Sequence, residues 1–341
     1  MKILIIRRDN IGDLVLTTPL FSLLKKKIPD LHLSVLVNSY NAPVLAGNPD
    51  VDEIFVYQKA KHRVAGVSRW QVWADTARQI WRMRQCRFDV AILAGSGYVY
   101  QAEKFARLVG IKKMIGYLPQ DGRPHHVTNP VDPLSSSTHH AQVVMNLAMA
   151  LGFDAETLPA VLLPQAELRD SLRQSLALTK APLWIGIHIS ARKPCQRWSV
   201  EAFAAAMHEL HILTGAKFLL FWSPGTEDHP AHPGDDRKAE LLLNLCAGLV
   251  VVPVPTIHLS ELIAGLSLCD VLLCSDGGAM HVAAALKKPL VALFGDTDAR
   301  VWGPWQVSNR VLQPESRHVR DISVNDVVQA MLAICGDIQA I

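Results

Sequence analysis

The sequence predicts an α/β protein made of two doubly wound parallel-sheet domains in tandem. Three observations carry that expectation. The 341 residues exceed the roughly 150 typical of one domain. Short apolar runs alternate with helix-length amphipathic segments, the pattern of parallel strands joined by crossover helices. That alternation is interrupted once, near the middle, by a polar stretch punctuated with proline. A hydrophobic share of 50% with 19% charged residues suits a folded globular chain and argues against extended disorder.

In the first half, strands are expected at 2–7, 32–37, 53–57, 88–93 and 113–117. Helices are expected at 13–27, 69–85, 99–109 and 138–151. The opening run Ile3-Leu4-Ile5-Ile6 has no polar alternation, as a strand buried on both faces requires. Between 152 and 182, Gly152, Pro159, Pro164 and Pro182 surround a polar helical stretch. This places an N-terminal domain at 1–160 and a linker at 161–182. The second series has strands near 183–188, 217–222, 249–252, 270–274 and 289–294, with helices near 199–213, 235–246, 259–267 and 278–287, in a domain at 183–320. A C-terminal helix within 321–341 is marked by Val324, Val327, Val328, Met331 and Leu332 at helical spacing. The two halves share an architecture, expected to enclose a cleft, without a sequence repeat.

Several classes are excluded. The four-residue apolar start closed by Arg7 and Arg8 is too short for a signal peptide. No run approaches the roughly 18 apolar residues of a membrane span, so a cytoplasmic protein is expected. Six scattered cysteines without Cys-x-x-Cys spacing read as reduced, mostly buried thiols. Gly95-Ser96-Gly97 follows a strand, but Tyr100 stands where a dinucleotide fingerprint needs its third glycine. Walker, zincin and nucleophile-elbow motifs are absent. Asp50-x-Asp52 and Asp296-x-Asp298 could hold a metal on a diphosphate, but such strings are common by chance. Asp228, His229, His232, Asp235 and Asp236 crowd one Pro/Gly-rich loop, read as a solvated loop. The adjacent pairs His125-His126 and His139-His140 cannot face one ion together and are given no role. No metal site is expected.

Two motifs carry chemistry. The first strand runs into Arg7-Arg8-Asp9-Asn10-Ile11-Gly12-Asp13. Gly12 permits a tight turn, and Asp13 falls at a helix start, where the dipole favours a carboxylate. A plain helix cap would explain it. Ligands of α/β domains, however, gather at the carboxyl ends of parallel strands, and a carboxylate there can take a proton from a substrate hydroxyl. The second motif, Ser275-Asp276-Gly277-Gly278-Ala279-Met280-His281, follows the apolar run Val271-Leu272-Leu273. A strand, a Gly-Gly turn and a small-residue helix leave unpaired amides open to an anion, and a diphosphate fits. His281, on the first turn, could reach the same ligand or simply pack inside the protein. A third strand and turn, Leu290 to Phe294 then Gly295-Asp296-Thr297-Asp298, would open beside the second if the two strands are neighbours.

Together these segments resemble the heptosyltransferases of lipopolysaccharide core assembly, glycosyltransferase family 9, over essentially the whole chain. The resemblance implies a GT-B fold of two Rossmann-like domains facing each other across a cleft. It implies inverting, metal-independent transfer of heptose from ADP-heptose, with no cofactor, to an anionic glycolipid acceptor. Asp13 matches the family's presumed general base. Donor contacts fall to Ser190, Arg192, Gln196, Asp276, Gly277, Gly278, Met280, His281 and Thr297. Acceptor contacts fall to Arg7, Asn10, Gly12, Thr17 and Arg63. One departure stands out: where the family carries Lys-x-Trp, this chain has Gln196-Arg197-Trp198. Charge developing on the leaving diphosphate still needs a cation. Arg192, Lys193 and Arg197 are the candidates, Lys193 and Arg197 being favoured as catalytic.

Residues 59–87 hold eight basic residues against one acid, Asp75. Helical spacing places Trp70, Trp73, Ala77, Ile80 and Trp81 on one face, expected to pack on the sheet. The basic side suits solvent or an anionic membrane surface; no base-reading motif accompanies it, so nucleic acid is not an expected partner. The net charge of +3 hides a split. Residues 1–150 carry 19 Lys and Arg against 11 Asp and Glu, or +8, and the remainder 15 against 20, or −5. Two other functions remain open on this scaffold: a nucleotide-sugar epimerase or hydrolase, and a non-catalytic nucleotide-sugar-binding paralogue.

Overall fold

The computed structural model describes residues 1–57, 69–178, 181–228 and 234–339, with the side chains of 69–73 and 338–339 left aside. Lys59, Lys61, Arg63, His229, His232 and the side chains of Trp70 and Trp73 therefore lie outside the described residues. The chain divides into two compact units, Met1–Leu162 and Leu163–Ile341.

The first unit contains β1 (Lys2–Ile6), α1 (Ile11–Val15), α2 (Thr18–Lys27), β2 (His32–Asn38), β3 (Glu53–Tyr57), α3 (Arg69–Cys86), β4 (Val90–Leu93), α4 (Tyr100–Val109), β5 (Met114–Gly116), β6 (Asn129–Pro130) and α5 (His140–Met145). Its parallel sheet runs β3-β2-β1-β4-β5-β6. The order reverses between β1 and β4, the switch point at which doubly wound sheets open a crevice for ligands. The apolar Ile3–Ile6 run forms the centre of the sheet and is wholly buried. The segment expected as one helix over 13–27 is two. Thr17 donates its hydroxyl to the Asp13 carbonyl at 2.7 Å, Thr18 donates to Val15 at 2.8 Å, and Pro19 starts the next helix without an N–H to continue the first. The expected helix at 138–151 is α5 followed by a 3-10 turn, Asn146–Leu151, stopped by Gly152 in the left-handed region. Along α3 the buried stripe passes through Ile80 and Met83, whereas Trp81 is 62% exposed and Ala77 also faces solvent. Trp81 is thus about 100° off the packed face, contrary to the expected one.

The second unit contains α6 (Ala166–Ser175), β7 (Trp184–His188), α7 (Val200–Thr214), β8 (Lys217–Trp222), α8 (Asp236–Leu245), β9 (Val251–Pro255), α9 (Leu259–Ser267), β10 (Val271–Ser275), α10 (Gly278–Ala285), β11 (Leu290–Leu293), α11 (Ala299–Trp302), β12 (Asn309–Leu312) and α12 (Val324–Gln339). Its parallel sheet runs β12-β11-β10-β7-β8-β9, reversing between β10 and β7. α6 lies inside the stretch 161–182 and packs on α9. α12 buries Val327, Val328, Met331 and Ile334 against the sheet and α7. All six cysteines are free, and four are buried. Among the described residues no helix is long and apolar enough to cross a membrane.

Candidate active site

In the first unit the loop leaving β1 gathers Arg7, Asn10, Gly12, Asp13 and Thr17. Arg7, 1% exposed, donates Nη1 to the Ala94 carbonyl at 2.6 Å and Nη2 to Asp13 Oδ1 at 2.7 Å. It thereby ties the exit of β4 to the first turn of α1, across the switch point. Asp13 Oδ2 accepts from the Asn10 backbone at 3.1 Å and side-chain amide at 3.0 Å. The carboxylate is nonetheless 13% exposed. Burial alone would raise its pKa, but the Arg7 guanidinium and the Asn10 hydrogen bonds outweigh burial and hold it below the ordinary carboxylate value. Asp13 is therefore more than a helix cap: it is an ionised carboxylate with an accessible edge at the carboxyl end of the central strand.

His140 belongs to this cluster, against the expectation that gave it no role. Its Nε2 lies 2.8 Å from Arg7 Nη2 and 3.6 Å from Asp13 Oδ1. Since arginine only donates, this ring nitrogen is the acceptor of that contact. Its neighbour His139 caps α5 by accepting from the Ala141 amide. No local pattern marks His140, because its partners lie 127 and 133 positions earlier. Arg8 points elsewhere, its guanidinium 4.5 Å from the Tyr57 ring centre and 4.6 Å from that of Phe105. Arg63 is outside the described residues.

In the second unit the loops after β7, β10 and β11 meet. Gln196, buried in the turn Pro194–Gln196, donates Nε2 to Asp276 Oδ2 at 2.6 Å and to Thr297 Oγ1 at 3.2 Å. Trp198, inserted edge-on against Phe203 with its indole N–H on the Ile322 carbonyl, anchors this loop. β10 and β11 are neighbours, and the turns after them lie together. A Cβ on Gly295 would stand 2.6 Å from the Cys195 carbonyl oxygen, so only glycine fits that crossing. Gln313 clamps the same turn by donating to the carbonyls of Gly295 and Thr297. Burial pushes the Asp276 carboxyl up, a shift that Thr297, Lys193 and Gln196 only partly oppose. Gln196 thus gives Asp276 a hydrogen bond but no charge.

The cation candidates differ in availability. Lys193 pairs with Asp296 at 2.9 Å, both about half exposed. Such a pair is weak and easily exchanged for a ligand. Arg197 donates Nε to the Ala191 carbonyl at 3.0 Å, Arg192 faces solvent, and Ser190 accepts from the Ser223 amide. Sequence reasoning missed Lys238, which donates to the Ile189 carbonyl at 2.9 Å and is pushed down to about 8 by burial. The loop motif also has structural work: Asp236 accepts from the Trp222 indole and the Gly225 amide. At the start of α10, Gly277 is extended with open space where a side chain would stand, and Gly278 begins the helix. Met280 and His281 are buried, the His281 ring edge-on to Trp302. No side chain crowds the Gly277 position at the start of α10, where the helix's first amides could meet an anion.

The comparisons with known proteins bear on this arrangement. A family model described as "Glycosyltransferase family 9 (heptosyltransferase)" matches residues 77–331. The lipopolysaccharide heptosyltransferase 3 of Escherichia coli is 25% identical over 325 residues, covering 92% of this chain and 89% of that protein. Among solved structures, a glycosyl transferase family 9 protein from Veillonella parvula superposes with TM-score 0.81 at 21% identity, over 98% of this chain and 97% of its own. The E. coli ADP-heptose lps heptosyltransferase II does so with TM-score 0.79 at 19% identity, over 99% of both.

Proposed function

The chain belongs to glycosyltransferase family 9 and is a glycosyltransferase, and from that premise we propose that it transfers heptose from ADP-heptose to the lipopolysaccharide inner core, inverting the anomeric centre. The donor and acceptor classes follow the names of its relatives. The observation that carries the mechanism is the ionised Asp13 at the switch point of the first unit. An acceptor hydroxyl gives its proton to Asp13 Oδ1 or Oδ2 as its oxygen bonds to the anomeric carbon, and the bond from that carbon to the diphosphate breaks. Charge on the departing ADP is met by the α10 amides and by Lys193, released from Asp296, rather than by a metal. His140 and Arg7 keep the carboxylate oriented, while Thr17 holds the turn that presents it.

The same reading makes the protein cytoplasmic and peripheral to the inner membrane face, where its glycolipid acceptor resides. Supporting this, α3 exposes Arg78, Trp81 and Arg82 on one stripe, a pattern suited to an anionic lipid surface.

The decisive experiment assays Asp13→Asn and Asp13→Ala with ADP-heptose and a heptose-deficient core acceptor. Loss of general-base assistance lowers kcat by about 10²- to 10⁴-fold with ADP binding retained. Near-normal turnover in both variants removes Asp13 from the mechanism. ADP release independent of acceptor identifies a hydrolase instead, and binding without turnover under any acceptor identifies a binding paralogue.

A further inference from the structure

The proposed mechanism uses neither Lys238 nor Arg197, yet both cations close on one short loop of the second unit. Lys238 Nζ donates to the Ile189 carbonyl at 2.9 Å and Arg197 Nε to the Ala191 carbonyl at 3.0 Å. This loop leaves β7 where the strand order reverses between β10 and β7, the place at which doubly wound sheets take ligands. It is tied to β8 and its exit as well. The Ile189 amide donates to the Phe221 carbonyl at 3.1 Å, and Ser190 Oγ accepts from the Ser223 amide at 2.9 Å.

Two cations set on neutral carbonyls are costly to hold. Among the described residues neither forms an ion pair with a carboxylate, and Lys238 Nζ stands 5.3 Å from the centre of the Phe203 ring. Four charged or titratable groups face the ammonium: Asp235 from the start of α8, Glu227 from the loop after β8, Arg197 from the loop after β7 and His188 from the end of β7. Burial and Arg197 oppose its charge while Asp235 and Glu227 favour it, and the balance holds it down at about 8. Burial pushes His188 down to about 4, so that ring is neutral at pH 7 and adds no charge. A half-buried ammonium beside a guanidinium lowers stability at neutral pH, and groups kept at such a cost cluster at functional sites.

Peptide geometry gives the two cations a common effect. A trans peptide is planar, and its C=O and N–H point in opposite directions. With the Ile189 and Ala191 carbonyls turned to the cations, the amides of Ser190 and Arg192, which share those peptide groups, point away from them. Among the described residues neither amide donates to a protein acceptor. A carbonyl that accepts from a cation polarises its peptide group and strengthens the donor at the other end.

We propose that Lys238 and Arg197 are positioning residues for the donor diphosphate: from behind the loop they fix the Ile189 and Ala191 carbonyls and so turn polarised Ser190 and Arg192 amides onto the phosphate oxygens. The inference rests on the transferase reading above and supplies, through the backbone, positive potential that the uncharged Gln196 does not.

The test follows ADP binding by titration calorimetry at pH 7 and 9.5 for the full chain, Lys238→Met and Lys238→Arg, each first shown to melt cooperatively. Methionine keeps an apolar stem beside Phe203 and removes the charge. The parent's ADP affinity is expected to fall about tenfold between the two pH values as the ammonium is lost. Lys238→Met should be about tenfold weaker than the parent at pH 7 and fall no further at pH 9.5. Lys238→Arg, charged throughout, should match the parent at pH 7 and stay tight at pH 9.5. In transfer assays the ADP-heptose KM follows the same pattern, while the acceptor KM stays within about twofold. The proposal is overturned by a methionine variant that binds ADP like the parent at pH 7, or by a parent affinity that does not change with pH. An arginine variant as weak as the methionine one also overturns it, since a lysine needed only for packing behaves that way, and so does a parent that binds no ADP at pH 7. A chain that transfers nothing, yet binds ADP with the expected dependence on Lys238 and pH, overturns the transferase reading and leaves the positioning role standing.

Discussion

Gln196 hydrogen-bonds a buried aspartate without neutralising it. For Asp276 the folded-state pKa is raised, so the folded chain binds the proton more tightly than the unfolded one. Its contribution to stability is therefore fully present below the ordinary carboxylate range and lost as pH rises through the raised value. Gln196→Lys should reverse this, supplying a counter-charge to the ionised form. The variant is expected to be more stable than the parent at pH 7, with the gain vanishing as the carboxyl protonates, and to bind ADP severalfold more tightly. Urea melts at pH 4 and 7 together with ADP titration check it; no gain at either pH excludes a charge deficit at Asp276. Lys238 titrates in another window. Its pKa falls from 10.5 to about 8, so between those values the unfolded chain binds more protons and stability rises with pH. Relative to Lys238→Met, the parent should recover roughly 3 kcal/mol between pH 8 and 10.5, read from the difference of two denaturation series. A flat difference removes the buried ammonium from the stability account.

At the scale of elements, strands buried on both faces were legible because their apolar runs need no partner to be recognised, as in Ile3–Ile6 and Leu290–Leu293. The strands that escaped notice are edges: Asn129–Pro130 is two residues long, and Asn309–Leu312 opens with polar Asn and Arg. Helix breaks depended on side-chain hydroxyls, Thr17 and Thr18, whose acceptors are set by conformation rather than composition. Of the site, Asp13 and the Gly277-Gly278 turn were readable because both exploit a helix start, a local feature. His140, Lys238 and Gln313 were not, since each acquires its role from chain segments far away in sequence. The loop crossing at Gly295 separates packing from function. Gly295→Ala drives a Cβ into the Cys195 carbonyl and should cost about 1–3 kcal/mol as backbone shifts to relieve it. Gly277→Ala meets nothing within 4 Å and leaves an extended backbone unstrained. Its stability should stay within about 0.5 kcal/mol of the parent, while ADP affinity falls because the new methyl stands where a phosphate approaches the amides. Equal ADP binding by Gly277→Ala and the parent would falsify the α10 anion site.

For the whole molecule, the charge asymmetry read from the sequence persists across the unit boundary. Met1–Leu162 carries 19 basic and 13 acidic residues, or +6, and Leu163–Ile341 carries 15 and 18, or −3. On the proposed function the second unit takes the diphosphate, and since its negative net charge cannot draw one, that affinity has to come from fixed dipoles at the start of α10 and a few placed cations. This makes nucleotide binding a local event that stabilises the second unit, since a ligand bound only by the native state adds RT ln(1 + [L]/Kd) to its stability. At a hundredfold excess over Kd that is about 2.7 kcal/mol. For a unit of this size it corresponds to about 5–10 °C in Tm. Differential scanning calorimetry with ADP, UDP and GDP, and with their sugar conjugates, should therefore show one transition moving upward with ADP compounds. A second transition, that of the first unit, should stay in place until a core saccharide is added. Should UDP or GDP compounds produce the shift while ADP compounds do not, the ADP-heptose donor is wrong even if Asp13 proves to be the base. Should every diphosphate shift it equally, the α10 turn reads only the phosphates, and base selection has to be sought in the loops after β8 and β9.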